Sequence, residues 1–415
     1  MVSVITGTDG AAGGMRSIFD SAYTERLNVS EFIDAIDPRD IPLLSMLGMG
    51  SEAGSAVAGA DSLAFPCINP THTWQSDELI PSKVALNAAD TSSPYTTIDV
   101  GTVAINYFKV GDLIELNGTY GEIDASSINT SAGTFTVTVV DGSAALVSQT
   151  LPSTVYNLGN LRLDGETFTN VYASTAVGST HNYTQIFHDA VSVSGTSEAT
   201  EKFGITGEFD REFAKKFQEV VIKLERAAHY GLGNSLPSGA TANTDRTNVR
   251  RMGGLFSYIK NDASANVTDA SSAKLTEKLL VDSLQDIWDD GGNPDTILVN
   301  ATQKRVLSSF ASPYVRTDRG ENALGIVVGT YESEFGDLDI VLDRYVKPAD
   351  LIILQKEYIG IGALKGNGND RSFFTTPVPV DGDRQTATIT GEYTMEVRNA
   401  DKAHGWIYGF STTLS

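Results

Sequence analysis

A single cysteine, Cys67, stands in 415 residues, which excludes an internal disulfide and every multi-cysteine zinc module. The chain reads as one suited to a reducing compartment. Positive charge is scarce too. Against 52 Asp and Glu there are 30 Lys and Arg, a formal charge of −22, the opposite of a surface built to grip nucleic-acid phosphates. A sequence-specific DNA or RNA reader is disfavoured. No run supplies the roughly 20 apolar residues that cross a bilayer; the uncharged stretch Gly142 to Leu161 is full of Ser, Thr, Gln, Asn and Pro. No membrane partner is expected, and Met1 to Gly14 has neither the basic residue nor the apolar core of a secretion signal. The histidines, His72, His181, His188, His229 and His404, never fall three or four residues from one another or from Cys67, so a local zinc motif is missing.

What is present is length enough for two or three compact units and 41% apolar residues to fill their cores. The acid excess is uneven. Residues 1–200 carry 22 acidic and 6 basic side chains (net −16), and 201–415 carry 30 and 24 (net −6). Residues 1–65 mix Gly, Ala, Ser and Asp with short apolar pieces and read as an extended arm with one or two short helices. From about Thr73 to Ala199 the pattern turns to β: Thr102 to Leu116, Thr134 to Val140, Asn157 to Arg162 and Tyr183 to Val193 read as strands. Asn117-Gly118 and Asp141-Gly142 supply the turns.

Gly207 to about Tyr230 is the strongest helix, with Phe209, Phe213, Phe217, Val220, Leu224 and Ala227 or Ala228 at steps of three and four. Further on, Thr276 caps a helix whose buried stripe is Leu280, Leu284, Ile287 and Trp288, stopped by Gly291-Gly292. Ile297 to Val299 is a short strand, and Asn300 with Gln303 forms a capping box for a helix through about Phe310. Leu338 to Leu342 and Leu351 to Ile361 read as buried strands, and Arg384 to Val397 as a long ribbon.

Chemical motifs are weak. Gly195-Thr196-Ser197-Glu198-Ala199 nearly matches a nucleophile elbow, with His229 and His404 downstream. The preceding Tyr183 to Asp189 is half polar, whereas an elbow needs a buried parallel strand, so a plain turn is favoured. Cys67 and His72 lack a third orienting group in sequence, and a small buried thiol is the simpler reading. Asp289-Asp290-Gly291-Gly292 has the wrong spacing for a calcium loop and reads as a helix C-terminus. Gly360, Gly362 and Gly366 precede no helix that could receive a phosphate. Catalytic, cofactor and metal residues are therefore expected to be none. Arg246, Arg250, Arg251, Arg316 and Arg319 form the basic clusters of an acidic chain and suit contacts with an acidic neighbouring subunit.

The order of segments, and the stretches Tyr183 to Phe187, Val193 to Thr196, Met252 to Leu255, Pro294 to Asn300, Tyr331 to Gly336, Asp343 to Val346 and Gly391 to Asn399, resemble the major capsid proteins of tailed bacteriophages. That family has an α+β architecture, the Johnson fold, and the likeness is to a subfamily carrying a β insertion in its extended loop. The resemblance implies an N-terminal arm over 1–65 and an extended loop over 66–200 with an inserted β module at about 95–170. It implies a peripheral domain from 201–252 and about 366–400 with its spine helix at 207–230, and an axial domain from 253–365 and about 401–415.

It further implies self-assembly into hexamers and pentamers of an icosahedral capsid around double-stranded DNA, without sequence-specific binding. Synthesis would be in the host bacterial cytoplasm and residence in the virion. A separate scaffolding protein is expected, because residues 1–65 are too short and too rich in Gly and Ala for a built-in scaffolding segment, and the resemblance also implies a portal and a decoration protein as partners. Only Lys83 and Lys109 precede Lys202, so a shell without covalent cross-links is expected. The competing readings are another β-rich phage assembly protein, such as a tail tube or decoration subunit, and a serine hydrolase using Ser197.

Overall fold

The computed structural model describes residues 40–48, 65, 67–77, 79–89, 96–124, 127–143, 146, 151, 153–162, 164, 175, 177–202, 207–233, 249–262, 266–310, 315–317, 328–379 and 382–412. The fold is mixed α/β, in two compact units: Thr73–His181, and Met1–His72 together with Asn182–Ser415. Of the arm read over 1–65, only 40–48 and 65 fall within the described residues, and 40–48 hold one short helix, Pro42–Met46.

In the larger unit the long helix runs Glu208–Tyr230, as its apolar spacing requires. Phe217, Val220, Val221, Leu224 and Ala228 are buried along one face, each large apolar side chain stabilising by about 1.5–3 kcal/mol. Phe209 and Phe213 at the helix start are only half buried and pack on one another, with ring centroids 6.4 Å apart. The helix lies against a sheet whose longest strand is Arg384–Val397. Gln185–Ser194 pairs antiparallel with this strand from Arg384↔Ser194 to Tyr393↔Gln185. Phe374–Pro377 and Ile359–Ala363 also pair with it. Alternation of half-buried Thr386, Thr388 and Thr390 with buried Ala387 and Ile389 gives way to continuous burial from Gly391 to Met395, where both faces are covered.

A second, seven-stranded sheet in the same unit has the order Val267–Asp269, Gly405–Tyr408, Leu351–Leu354, Thr296–Val299, Gly336–Leu342, Val328–Ser333, Val315–Thr317. Its central strands Thr296–Val299 and Leu351–Leu354 are buried throughout. The helix Glu277–Asp289 packs its Leu280, Leu284 and Ile287 into the core of this sheet. The Thr276 hydroxyl caps that helix through Leu279 N, and Leu275 is buried beside Leu280. Trp288 is not part of the stripe: it is 56% exposed, because one residue beyond Ile287 the side chain has rotated about 100° off the buried face. The Asn300–Gln303 box is half made. Asn300 caps Thr302 N, but Gln303 Nε2 donates to the Pro348 carbonyl at 2.7 Å, and the helix ends at Leu307. The run Leu351 to Ile361 is broken by a 3-10 turn at Lys356–Tyr358, which sends Ile359–Ala363 to the other sheet.

The smaller unit is a six-stranded antiparallel sheet in the order Lys83–Ala85, Thr154–Asn160, Asp112–Leu116, Thr119–Ile123, Thr134–Val139, Thr97–Asp99. A bridge between Ala88 and Asp99, with Asn87 N donating to Asp99 O at 2.9 Å, joins the two ends of that order and closes the sheet into a barrel. Ile98, Ile105, Ile114, Leu116, Ile123, Phe135, Val137 and Val155 fill it. Asn117-Gly118 makes the turn with both residues at positive φ, 51° and 83°, the geometry of a type I′ hairpin. Thr102 to Tyr107 is helical, not strand: Gly101–Ala104 and Ile105–Tyr107 wind before Asp112–Leu116 begins. Thr71–Ser76 pairs with Gly178–Tyr183 where the chain enters and leaves this excursion. The excursion is narrower than 66–200, since Gln185–Ser194 and the short helix Gly195–Ala199 belong to the larger unit.

Candidate functional site

Two ionic clusters stand out in the larger unit, one against residues 40–48 and one at the roots of the excursion. The first fixes residues 40–48. Pro42 stands at the first turn of Pro42–Met46, and its N-cap, Ile41, has no side-chain acceptor, so the free amides of that turn need an outside partner. Glu225 supplies it: Leu43 N donates to Oε1 at 2.8 Å and Leu44 N to Oε2 at 2.9 Å. Leu43, Leu44 and Leu47 are buried beside it, and Arg344 pairs with Asp40 at 2.6 Å.

Four residues beyond Glu225, on the same helical face, His229 has Nδ1 2.9 Å from the Glu225 backbone carbonyl and Nε2 2.8 Å from Asp343 Oδ2. All three side chains have no exposure. Burial pushes Glu225 up to about 7, and neighbouring Asp343 adds to this while His229 and the two amides oppose it. Burial pulls His229 down, but Asp343 and Glu225 outweigh it and the net direction is up. The ligand atoms of Glu225, His229 and Asp343 lie within 4.8 Å of one another, close enough to share a metal ion.

The second cluster sits where the excursion begins and ends. Asn182, buried, uses its whole amide: Nδ2 donates to Gly253 O at 2.9 Å and Met395 O at 2.6 Å, and Oδ1 accepts from Gly253 N and Tyr183 N. Two residues on, Thr184 Oγ1 donates to Glu392 Oε1 at 2.7 Å and accepts from Arg250 Nη1 at 2.8 Å. Glu392, 2% exposed, also pairs with Arg250 at 2.8 Å and Arg371 at 2.7 Å. At the entering end His72 Nε2 meets Glu396 at 2.9 Å, Arg398 shares that carboxylate at 3.2 Å, and Phe65 stacks on the imidazole at 4.3 Å. Hydrogen bonding to Cys67, then to Glu396, raises His72 to about 9.

Of the arginines singled out in sequence, Arg246 and Arg319 lie outside the described residues, as does the side chain of Arg316. Arg250 is engaged within the chain by Glu392. Arg251 is exposed and, with Arg226, Arg250, Ile186, Leu232 and Val249, lines a cleft of about 700 Å³. Sequence reasoning passed over Glu225, Asn182 and Glu392. The signal was there for the two acids: Glu225 interrupts the apolar stripe of the long helix, and Glu392 lies inside a buried ribbon.

Ser197 sits in the five-residue helix Gly195–Ala199, capped by Ser194, and its hydroxyl accepts from Lys202 Nζ at 2.9 Å. His229 faces Asp343, and His404 is held between Gln355 N and Arg398 O, burial lowering it to about 4. Cys67 is fully buried and its thiol donates to Asn69 O. The helix Glu277–Asp289 ends at the acidic run as expected, with Gly291 at φ 92°. No helix among the described residues is long and apolar enough to cross a membrane.

In comparison with known structures, the capsid asymmetric unit of cyanophage A-1(L) aligns at a TM-score of 0.53 and 9% identity, over 95% of this chain and 100% of that one. This likeness bears on the fold. A chain of Mycobacterium phage Adephagia aligns over 97% of this chain and 100% of its own, at 12% identity and a TM-score of 0.45. No curated protein matches in sequence. The profile of the SU10 major capsid protein family matches residues 8–411. With a Johnson-type fold and a family match across nearly its whole length, the chain belongs to the SU10 major capsid protein family and is a structural, capsid-forming virion protein.

Proposed function

We propose that copies of this chain assemble into the hexamers and pentamers of an icosahedral shell around packaged double-stranded DNA. The observation that carries this is a set of aromatic side chains left half exposed in each unit. On the barrel, strand register places Tyr120 and Tyr156, each 43% exposed, on either side of Glu115. On the other unit Trp288, 56% exposed, rests against Phe335 at 6.1 Å. Tyr and Trp are the residues that interfaces favour, and a shell gives them neighbours.

In this reading residues 1–65 are the arm and the excursion is the extended loop, each reaching a neighbouring copy, with the barrel as the inserted module. The long helix and the strand Arg384–Val397 form the peripheral domain, and the seven-stranded sheet the axial domain. Arg251, with Arg246, Arg316 and Arg319, meets acidic side chains of neighbours, and Arg250 takes part by positioning the loop through Glu392. A separate scaffolding protein directs assembly in the bacterial cytoplasm, a portal occupies one vertex, and a decoration protein binds the outside. No catalytic step is assigned to the chain. The acid excess leaves the wall without a grip on DNA.

Negative-stain microscopy of the chain expressed alone and with its scaffold tests this. Closed shells or isolated hexamers and pentamers are expected, and a monodisperse monomer under every condition would overturn it. Emptied shells that held duplex DNA tightly at ~150 mM salt would sink the acidic-wall argument.

A further inference from the structure

The geometry of the cluster behind the short helix Pro42–Met46 points beyond assembly. His229 Nδ1 faces the Glu225 backbone carbonyl at 2.9 Å. A carbonyl only accepts, so the ring proton is on Nδ1, and in the neutral ring Nε2 presents a bare lone pair. That lone pair lies 2.8 Å from Asp343 Oδ2 in a site with no exposure. The two atoms are close, yet neither has a hydrogen-bond partner: a proton on Nε2 would not point along the line to the carboxylate. Two acceptor atoms 2.8 Å apart in a dry site, with no hydrogen bond between them, repel, and a cation standing beside both removes the repulsion.

Charge balance is compatible with a cation at this place. Two buried carboxylates with an imidazolium leave a net negative charge out of water, which is costly. Two carboxylates with a neutral imidazole and a dication sum to zero. The outer hydrogen bonds that steady metal ligands are also in place. The carbonyl orients His229, Leu43 N and Leu44 N hold the Glu225 oxygens, and Tyr345 N donates to Asp343 Oδ1 at 2.7 Å. One imidazole nitrogen with two carboxylates suits a zinc-class ion at about 2.0–2.2 Å per bond, for which His229 and Asp343 need separate by only a few tenths of an ångström. Calcium or magnesium would require more oxygen ligands than this pocket offers.

We propose that Glu225, His229 and Asp343 form a structural site for a zinc-class divalent cation, which fastens residues 40–48 to the long helix and to the loop after Gly336–Leu342. The test uses the full chain, purified without chelator and dialysed into metal-free buffer. Elemental analysis is expected to return about one metal ion per chain. After stripping with EDTA, zinc chloride should raise the thermal midpoint by several degrees, and cobalt chloride should give visible ligand-field absorption of a site with nitrogen and oxygen ligands. Asp343→Asn, which keeps the side-chain shape, and His229→Gln should each lower metal affinity at least tenfold. A wild-type chain free of metal, with a midpoint indifferent to zinc, cobalt and EDTA, overturns the proposal even if neither variant folds. Undiminished metal uptake by both variants overturns it as well, because the ion would then sit elsewhere.

Discussion

Replacing Glu392 by Ala is expected to destabilise the larger unit by about 3 kcal/mol. The side chain is 2% exposed and its carboxylate receives Thr184 Oγ1, Arg250 and Arg371 at 2.7–2.8 Å. Removing one partner of a buried pair costs roughly 3–5 kcal/mol, chiefly because the remaining charges are left unpaired. Here the lower end applies, since the Arg371 side chain is 38% exposed and that of Arg250 23%, so water recovers part of their solvation. Glu392→Gln keeps the volume and can still accept from Thr184 or one guanidinium, so about 1–2 kcal/mol is expected. Arg250→Met should cost less than Glu392→Ala, and the double variant Arg250→Met/Glu392→Met less than the sum of its singles, with a coupling of about 1–3 kcal/mol.

Thermal unfolding of unassembled subunits, followed by circular dichroism, is the assay, with particles measured separately because assembly adds its own stabilisation. For a unit of about 300 residues, about 3 kcal/mol corresponds to roughly 5 °C. A Glu392→Ala midpoint within about 1 °C of wild type, or zero coupling with Arg250, would refute the assignment of Glu392 as the centre of the cluster.

Three further outcomes follow from other parts of the molecule. Trp288→Ala should leave the melting of the isolated subunit within about 0.5 kcal/mol of wild type while weakening assembly by about 2 kcal/mol or more per contact, read as a raised critical concentration in sedimentation; unchanged assembly would remove Trp288 from the interface. Gly362→Ala should lower the midpoint measurably, because a Cβ there would stand 2.4 Å from the Phe65 carbonyl oxygen, and a neutral result would mean that Phe65 moves freely. His72, raised to about 9 from 6.5 by Cys67 and Glu396, stabilises the fold fully below pH 6.5. That contribution is lost as pH rises through about 9, a decline of roughly 1–2 kcal/mol once solvent screening is allowed for. Glu396→Gln should flatten this part of the stability profile, and an equal slope in both proteins would exclude His72 as its source.

Long periodic segments were legible in sequence because their signal repeats. The helix from Glu208 and the strand Arg384–Val397 each carry enough alternation to fix type and bounds. Shorter apolar runs were not. Thr102 to Tyr107 offers one or two periods, which cannot separate a helical turn from a strand, and the residue type of Trp288 suggests the core although its helical angle turns it outward. The clusters were harder still. The acids could be seen interrupting apolar patterns, but Arg250 and Glu392, or His229 and Asp343, are joined only by tertiary packing, which leaves no spacing rule to read.

The placement of these clusters follows from what apolar packing cannot do. Sliding Arg384–Val397 by two residues past Gln185–Ser194 would keep Ala387 and Ile389 on the same face, so the hydrophobic pattern alone tolerates the slip. The same shift would carry Glu392 roughly 7 Å from Arg250 and would break the bond of Asn182 to Met395. Directional groups therefore set the register at the point where a long excursion leaves and rejoins the body, and Glu225 does the same for residues 40–48. In a chain with 30 basic side chains against 52 acidic, several of the few cations stand at these junctions: Arg250 and Arg371 on Glu392, Arg398 on Glu396, and Arg344 on Asp40. On the proposed reading, in which an arm and a loop reach neighbouring copies, such fixing gains more than the same area of apolar contact, because a one-step error at the root would displace every contact further out.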